Sequence, residues 1–219
     1  MPSFSMRSGQ RLHRGLLLQH FFFGLAATSE RYQSSGKPDL TEGKNMAAPA
    51  FVAKLNEQLG YEFGAHQQYL AIAAYYDSLT MPQLAGMFYS QALEERGHAM
   101  MMIRYLLDND EVPRIPALDA PKVDFSDVVG PAEAALAQEL VVTEQINELT
   151  RVAREENDFA SDQFMQWFIR EQVEETAKMK DLVAVVTRSK DDYERIEDWV
   201  SREDPRTEGS APAPPMAGA

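Results

Sequence analysis

Four glutamates stand where a helical repeat of apolar residues would otherwise place another apolar side chain. They are Glu62, Glu95, Glu139 and Glu175, and each belongs to a different long helical segment. Burying a lone carboxylate in a helix core costs several kcal/mol, and four that converge also repel one another. No matching set of Lys or Arg follows the same stripes. The pattern therefore predicts a buried site that bound cations neutralise.

The second segment adds an imidazole to this set. Glu95 and His98 form a Glu-x-x-His motif, and residues three apart lie on the same face of a helix. One such motif is common on solvated helix faces. It becomes specific here because it lies on an apolar stripe and three other helices supply matching acids. Carboxylate di-iron bundles use a Glu from each of two helices and Glu-x-x-His from each of the other two.

The fourth segment departs from that symmetric pattern. Glu175 occupies the position expected for a second His, and Gln172 occupies the preceding ligand position. One metal position would then have an imidazole ligand and the other would not. An asymmetric pair of this kind suits iron that is bound transiently and passed on.

Three further acids adjoin the ligand positions, namely Glu94, Glu171 and Glu174. One interpretation is that they are solvated charges on the helix faces. The other is that they border the metal site and form a third metal position. The chain has no Cys, so every metal ligand must be a carboxylate, an imidazole or an amide. Such ligands suit iron, manganese or zinc.

The elements that carry these residues are predicted from apolar residues spaced three and four apart. The predicted long helices run from Pro49 to Asp77, from Pro82 to near Asp110, from Pro131 to about Asn157, and onward from Asp158. A shorter helix follows from Asp191 to about Arg202. The Pro-containing stretch 111–130 is long enough to return along the bundle, so the second and third helices can be parallel. The predicted fold is all-α, a four-helix bundle with one long crossover and a short fifth helix.

The termini differ in composition from this domain, which we place at residues 46–202. Residues 203–219 are rich in Pro, Ala and Gly and are predicted to be a disordered tail. Residues 1–45 carry basic residues and then a short apolar cluster. They resemble a secretory signal, an organelle transit peptide or a stretch upstream of the true start at Met46, and we favour the last.

The charge of the whole chain limits its partners. Its 219 residues have a formal net charge of −13, which disfavours nucleic-acid binding because the phosphate backbone attracts basic surfaces. An acidic surface concentrates cations instead. No apolar run reaches the roughly 18 residues that are needed to span a bilayer, so no membrane partner is expected.

The domain resembles the non-haem bacterial ferritins from about Pro49 to Arg202. The resemblance rests on short motifs spread over four helices: Leu55-Asn56-Glu57-Gln58, Glu62 with Tyr69, Glu94-Glu95-Arg96-Gly97-His98, Gln145-Ile146-Asn147-Glu148-Leu149, Gln166-Trp167-Phe168 and Glu171-Gln172-Val173-Glu174-Glu175. The resemblance implies the ferritin-like version of the bundle.

The resemblance also implies a role for each site residue. The first iron would be bound by Glu62, Glu95 and His98, with Glu95 as the bridge. The second would be bound by Glu139 and Glu175, with Gln172 close by. A third iron would lie at Glu94, Glu171 and Glu174. Tyr69 would be a hydrogen-bond partner and electron donor beside the centre.

The function that the resemblance implies is iron storage. Members of this family oxidise Fe(II) with oxygen or peroxide and store ferric mineral in a hollow homo-oligomeric shell of 24 subunits, which suggests a cytoplasmic protein. Asp158 and Asp162 resemble acids that line the shell's pores. No haem is expected, because Arg96 replaces the haem-binding Met of bacterioferritins and Glu175 replaces their His.

Two other classes of function compete with this interpretation: another di-iron enzyme, and a structural subunit without catalysis. A rubrerythrin-like peroxidase usually has an additional Cys-ligated iron domain, which a chain without Cys cannot form, and an oxygenase usually has a second His-bearing motif. A purely structural or mineral-nucleating subunit would not need the complete ligand set.

His66 lies one turn after Glu62 and is read as a hydrogen-bonded core histidine, with a ligand role as the alternative.

Overall fold

The computed structural model describes residues 47–202 and 212–218. The predicted leader, residues 1–45, lies outside the described residues, as do residues 203–211 of the tail. The described part forms five helices and contains no strand: α1 Pro49–Ser78, α2 Pro82–Asp108, α3 Gly130–Glu155, α4 Phe159–Arg188 and α5 Tyr193–Arg202. The predicted fold class is confirmed. Within the described ranges, no helix is both long and apolar enough to cross a membrane.

Local sequence signals explain where the long helices begin and end. A proline occupies the first turn of α1, α2 and α3, where a missing N–H costs nothing. The same three helices end with a left-handed residue: Thr80, Asp110 and Asn157 respectively. In each case two backbone hydrogen bonds close the last turn in the Schellman pattern. These tight ends allow the short connections that turn α2 back along α1 and α4 back along α3.

The crossover, residues 109–129, runs along α1 and returns the chain to the end at which α2 began. Three hydrogen bonds spaced along α1 hold it there: Asn56 Oδ1 with the N–H of Arg114 (2.7 Å), Gln68 Oε1 with the N–H of Lys122 (2.8 Å), and the Tyr76 hydroxyl with the carbonyl of Val128 (2.9 Å). Gly60 permits this close approach, since a Cβ there would lie 3.3 Å from Pro116. The second and third helices are therefore parallel, as predicted.

The apolar core is divided into two clusters along the bundle. One surrounds Tyr76, Phe88 and Leu182, and the other surrounds Leu55, Met102 and Phe168. The layer between them is polar and buried, and it contains Glu62, Gln91, Glu95, His98, Glu139, Gln172 and Glu175. The four core glutamates of the sequence pattern thus lie at the middle of the bundle, with apolar packing on both sides.

Two short segments complete the fold at the surface of α2. Glu197 of α5 accepts hydrogen bonds from the N–H groups of Gln83 (2.7 Å) and Leu84 (2.9 Å), so α5 caps the first turn of α2. Residues 212–218 also contact α2, through a hydrogen bond from the N–H of Ala217 to the carbonyl of Met100 (3.0 Å). The composition of the tail predicts disorder, whereas this part of it lies against the helix.

The capping contact predicts a specific loss of stability. Glu197→Ala should lower the free energy of unfolding by roughly 1–2 kcal/mol, because two N–H groups lose their acceptor and the helix dipole loses a negative charge. Glu194→Ala, an exposed acid in the first turn of the same helix, is the matched control. Thermal unfolding of both variants against the wild type measures the difference. Equal losses in the two variants would show that the contact contributes little.

Candidate metal centre

The tightest group of potential ligands joins α1 to α2. Glu62, Glu95 and His98 each offer one ligand atom, and these atoms lie within 4.8 Å of one another. Nδ1 of His98 is 3.2 Å from Glu95 Oε2 and 3.5 Å from Glu62 Oε2. The imidazole packs edge-on against the rings of Trp167 and Phe168, which fixes its orientation. These are the three residues that the resemblance assigns to the first iron.

Several oxygen atoms of this layer have no hydrogen-bond partner. Among the described residues, Glu62 Oε2, Glu95 Oε1 and Glu175 Oε2 are buried and accept no hydrogen bond. Buried polar atoms without partners are rare in folded proteins, and each one needs an explanation such as an ion. Three carboxylate oxygens in one layer thus lack a hydrogen bond, although Glu62 Oε2 lies 3.5 Å from His98 Nδ1, and they fit a cation that is coordinated by oxygen. This donor set therefore fits the iron that the sequence predicts.

Glu139 of α3 is held from two directions. The hydroxyl of Tyr69 donates a short hydrogen bond to Oε1, and the amide of Gln172 donates to Oε2 at 3.3 Å. Thr143 in turn donates to the side-chain oxygen of Gln172 at 2.9 Å. The role of Thr143 is not evident from the sequence, because a hydroxyl one turn after Glu139 is normally bonded to its own helix backbone. The same hydroxyl also lies 2.8 Å from the carbonyl of Glu139, so its single hydrogen is shared between the two acceptors.

Glu175 of α4 is paired with a lysine that the sequence patterns did not identify. Nζ of Lys178 lies 3.1 Å from Glu175 Oε1 and 2.6 Å from Gln91 Oε1. The signal was present, since Lys178 follows Glu175 by three residues on the same face. Burial lowers the pKa of Lys178, but the neighbouring acids Glu175 and Glu94 outweigh it and the pKa is raised overall. One of the four core acids, Glu175, therefore forms an ion pair with a lysine.

The three additional acids are less buried than the core four. Glu94 and Glu174 are exposed and Glu171 is half-buried. Glu94 and Glu171 line a surface pocket of about 470 Å³ that reaches His98, and Met216 of the C-terminal segment forms part of its wall. Neighbouring protein atoms partly desolvate both carboxyl groups, which raises the pKa of Glu94 and that of Glu171. A route from solvent to the imidazole thus passes between two carboxylates.

Burial and crowding raise several pKa values in the layer. Burial, followed by the charge of nearby acids, raises the pKa of Glu95 well above its usual range and that of Glu139 to about 7. Burial lowers the pKa of His98, but Glu62 and Glu95 outweigh it and the net shift is upward. Burial also raises the pKa of Tyr69, followed by the charge of Glu139. When no metal is bound, these groups therefore hold their protons to a higher pH than such side chains ordinarily do.

Two other sequence expectations are located by the structure. His66 is half-buried, and its Nδ1 lies 2.6 Å from the carbonyl of Ala92, which agrees with a hydrogen-bonded histidine. Asp158 is buried and caps α4, accepting from the N–H and hydroxyl of Ser161 and from the N–H of Ala48. Asp162 pairs with Arg154 at 3.1 Å. Both aspartates make bonds within the subunit, and their pore-lining role stays a prediction.

Known proteins are similar to this chain over the same region. A family model described as a ferritin-like domain matches residues 52–189. A ferritin BfrB of Mycolicibacterium smegmatis is 47% identical over 168 residues, which cover 77% of this chain and 93% of that protein. A bacterial non-heme ferritin of Staphylococcus aureus is 35% identical over 147 residues, 67% of this chain and 89% of that protein.

Solved structures agree with this similarity. An open pore ferritin of the hyperthermophilic archaeon Archaeoglobus fulgidus superimposes with a TM-score of 0.69 at 28% identity. The match covers 74% of this chain and 99% of that one.

The raised pKa of Glu139 predicts a pH dependence of stability. Its pKa of about 7 in the folded protein exceeds the value of about 4.3 expected for an unfolded chain. The folded state therefore binds the proton more tightly, and this stabilisation is present at low pH and lost as the pH rises towards 7. Without metal, the wild type should lose roughly 2–3 kcal/mol more between pH 5 and pH 7.5 than Glu139→Gln does.

Denaturant unfolding in the presence of a chelator at the two pH values measures this difference. Glu144→Gln is the control, since it removes an exposed acid from the same helix. The control should follow the wild type. If Glu139→Gln also follows the wild type, Glu139 is ionised throughout this range in the metal-free protein.

Proposed function

The chain belongs to the ferritin family of iron storage proteins, and on this premise we propose that its buried layer is a ferroxidase centre. In this proposal, two Fe(II) ions bind between the four long helices and are oxidised by oxygen or peroxide. The ferric product then leaves for storage as a mineral. The two ions are the substrate of the reaction.

The observation that carries this proposal is the group formed by Glu62, Glu95 and His98. Ligand atoms of two carboxylates and an imidazole lie within 4.8 Å of one another, and all three side chains are almost fully buried. Oxygen and nitrogen ligands of this kind suit Fe(II). The unpartnered oxygens Glu62 Oε2 and Glu95 Oε1 support the same assignment, because an ion would supply the missing partner.

The second iron position is proposed at Glu139 and Glu175, with Gln172 beside them. Glu95 is the proposed bridge, because the charges of both Glu139 and Glu62 act on it and raise its pKa. In this arrangement the hydroxyl of Tyr69 orients Glu139 and holds a proton next to the centre. We further propose that Tyr69 supplies an electron during oxidation, since its ring is fully buried within the same layer.

The protein's other contributions are exclusion of water and control of access. Apolar clusters on both sides of the layer keep bulk water out, which strengthens the attraction between the carboxylates and the ions. The pocket between α2 and α4 is the proposed entry, because it joins the surface to His98. Glu94 and Glu171, which line this pocket, are proposed to hold a third iron together with Glu174. The site is proposed to work without haem.

Family membership also supports proposals about assembly and location. The relatives named above are ferritins, and we propose that this chain forms a homo-oligomeric shell of 24 subunits in the cytoplasm. The negative net charge suits a shell that attracts Fe(II). Light scattering or native mass determination of the purified protein tests the shell directly.

Removal of a first-position ligand should slow iron oxidation severely. Glu95→Ala and His98→Ala each delete one of three convergent residues. Loss of a group that merely supports a metal ligand typically costs about ten- to a hundredfold in affinity or activity, so loss of a ligand should cost at least as much. The initial rate is measured from the absorbance of ferric product after Fe(II) is added under air. Glu144→Ala, on an exposed face of α3, is the control and should behave like the wild type.

Shell size should be checked in every variant so that a loss of rate is not a loss of assembly. Wild-type initial rates in both Glu95→Ala and His98→Ala, with intact shells, would remove the assigned centre. Loss of oxidation together with retained storage of added ferric iron would support the centre and separate oxidation from storage.

The proposed domain boundary has its own test. We propose that residues 46–202 are the folded ferritin-like domain, because the helical periodicity and the family match both lie inside this range. Deletion of residues 1–45 should leave the melting temperature, the shell size and the oxidation rate unchanged. A truncated protein that fails to fold would show that the boundary lies further upstream.

A further inference from the structure

Lys178 is the one lysine or arginine among the described residues that forms an ion pair with an acid of the buried layer. It lies on α4, one turn after Glu175, and its side chain reaches across to α2. Its ammonium nitrogen is 3.1 Å from Glu175 Oε1, 2.6 Å from Gln91 Oε1 and 3.8 Å from Glu94 Oε2. The charge thus lies between a core acid and an acid of the entry pocket.

The two proposed iron positions differ in this respect. At the first position, the ion pairs of Glu62 and Glu95 are both made with His98, which is itself a proposed ligand. At the second position, Glu175 already has a cation on one oxygen, while its other oxygen has no hydrogen-bond partner. A divalent ion that uses both oxygens of Glu175 must therefore compete with an ammonium group.

The geometry also shows how the ammonium group could give way. The side chain of Lys178 is 24% exposed and therefore borders solvent, whereas Glu175 is almost fully buried. Lysine has a flexible four-carbon stem, so a change of rotamer can take the charge away from both Glu175 and Glu94 and into solvent. Gln91 accepts a hydrogen bond from Lys178 and donates one to Glu94 at 2.7 Å. The amide of Gln91 therefore connects the ammonium group to Glu94.

We propose that Lys178 is a resident counter-cation that metal must displace from Glu175 and Glu94, and that it makes the second and third metal positions weaker than the first. This inference rests on the proposed ferroxidase centre. It assigns to Lys178 a positioning role, because the side chain acts through Glu175 and touches no reactant. The order of binding follows: the group at Glu62, Glu95 and His98 fills first. After the product leaves, the ammonium group returns to Glu175 and neutralises it.

The test is a titration of the assembled, metal-free protein with Zn(II), which does not change oxidation state. Lys178→Met keeps much of the side-chain length and removes the charge. Lys180→Met, on the exposed face of the same helix, makes the same charge change and is the matched control. Isothermal calorimetry gives the affinity of each class of site per subunit.

We expect the affinity of the weaker classes of site for Zn(II) to rise roughly tenfold or more in Lys178→Met, because a hydrogen-bonded ammonium group no longer competes with the metal. The tight class should change by less than about twofold, and Lys180→Met should match the wild type. Without metal, Lys178→Met should melt at a lower temperature than either, because Glu175 loses its partner. Lys178→Arg keeps the charge and should keep the weaker classes weak.

The combination of a less stable metal-free protein and tighter metal binding separates this role from a merely structural one. A structural lysine would lower the melting temperature and leave the weaker affinities unchanged or reduced, and that result would overturn the proposal. Should Lys178→Met fail to assemble, Lys178→Gln carries the same expectation. A wild type without a tight class would instead count against the ferroxidase centre itself.

Discussion

A carboxylate at the centre of a helical bundle has lost its water and needs another partner. This protein brings together four such carboxylates. Glu62, Glu95, Glu139 and Glu175 come from four different helices and meet in a layer that divides the apolar core in two. Desolvation of each charge and repulsion among them both disfavour the folded chain. The bundle can fold because other groups partly offset the desolvation and repulsion of these carboxylates. The oxygens that those groups leave without a partner determine what the layer can bind.

Three different groups partner the four acids in the metal-free protein. Glu62 and Glu95 share His98, Glu139 receives the hydroxyl of Tyr69, and Glu175 receives the ammonium of Lys178. Protons supply the rest, as the raised pKa values of Glu95 and Glu139 indicate. None of these partners satisfies every oxygen. The layer is therefore stable enough to fold and still has open oxygens that suit metal ions, which is what a transient substrate site requires.

The surrounding architecture holds this layer in register. The crossover fastens along α1, the Schellman ends turn the helices back, and Glu197 and Asp158 cap the starts of α2 and α4. Asp158 also binds the N–H of Ala48, which ties the start of α4 to the start of α1. Since the four ligands come from four helices, a shift of one helix by a turn would separate them. The geometry of the buried layer thus depends on contacts at the ends of the bundle, far from the layer itself.

Much of this was determined by the sequence alone. Apolar periodicity and the positions of proline predicted the helices, and the long Pro-containing stretch predicted the crossover. Acids on apolar stripes, together with the Glu-x-x-His motif, predicted that Glu62, Glu95 and His98 would converge. These features are local, because a helix fixes which residues share a face. Only the tertiary structure decided which partners meet across helices. Lys178 reaches Gln91 on another helix, Thr143 holds Gln172, and residues 212–218 lie on α2 despite a composition typical of disorder. Such pairings depend on distances between elements, which spacing along one chain does not contain.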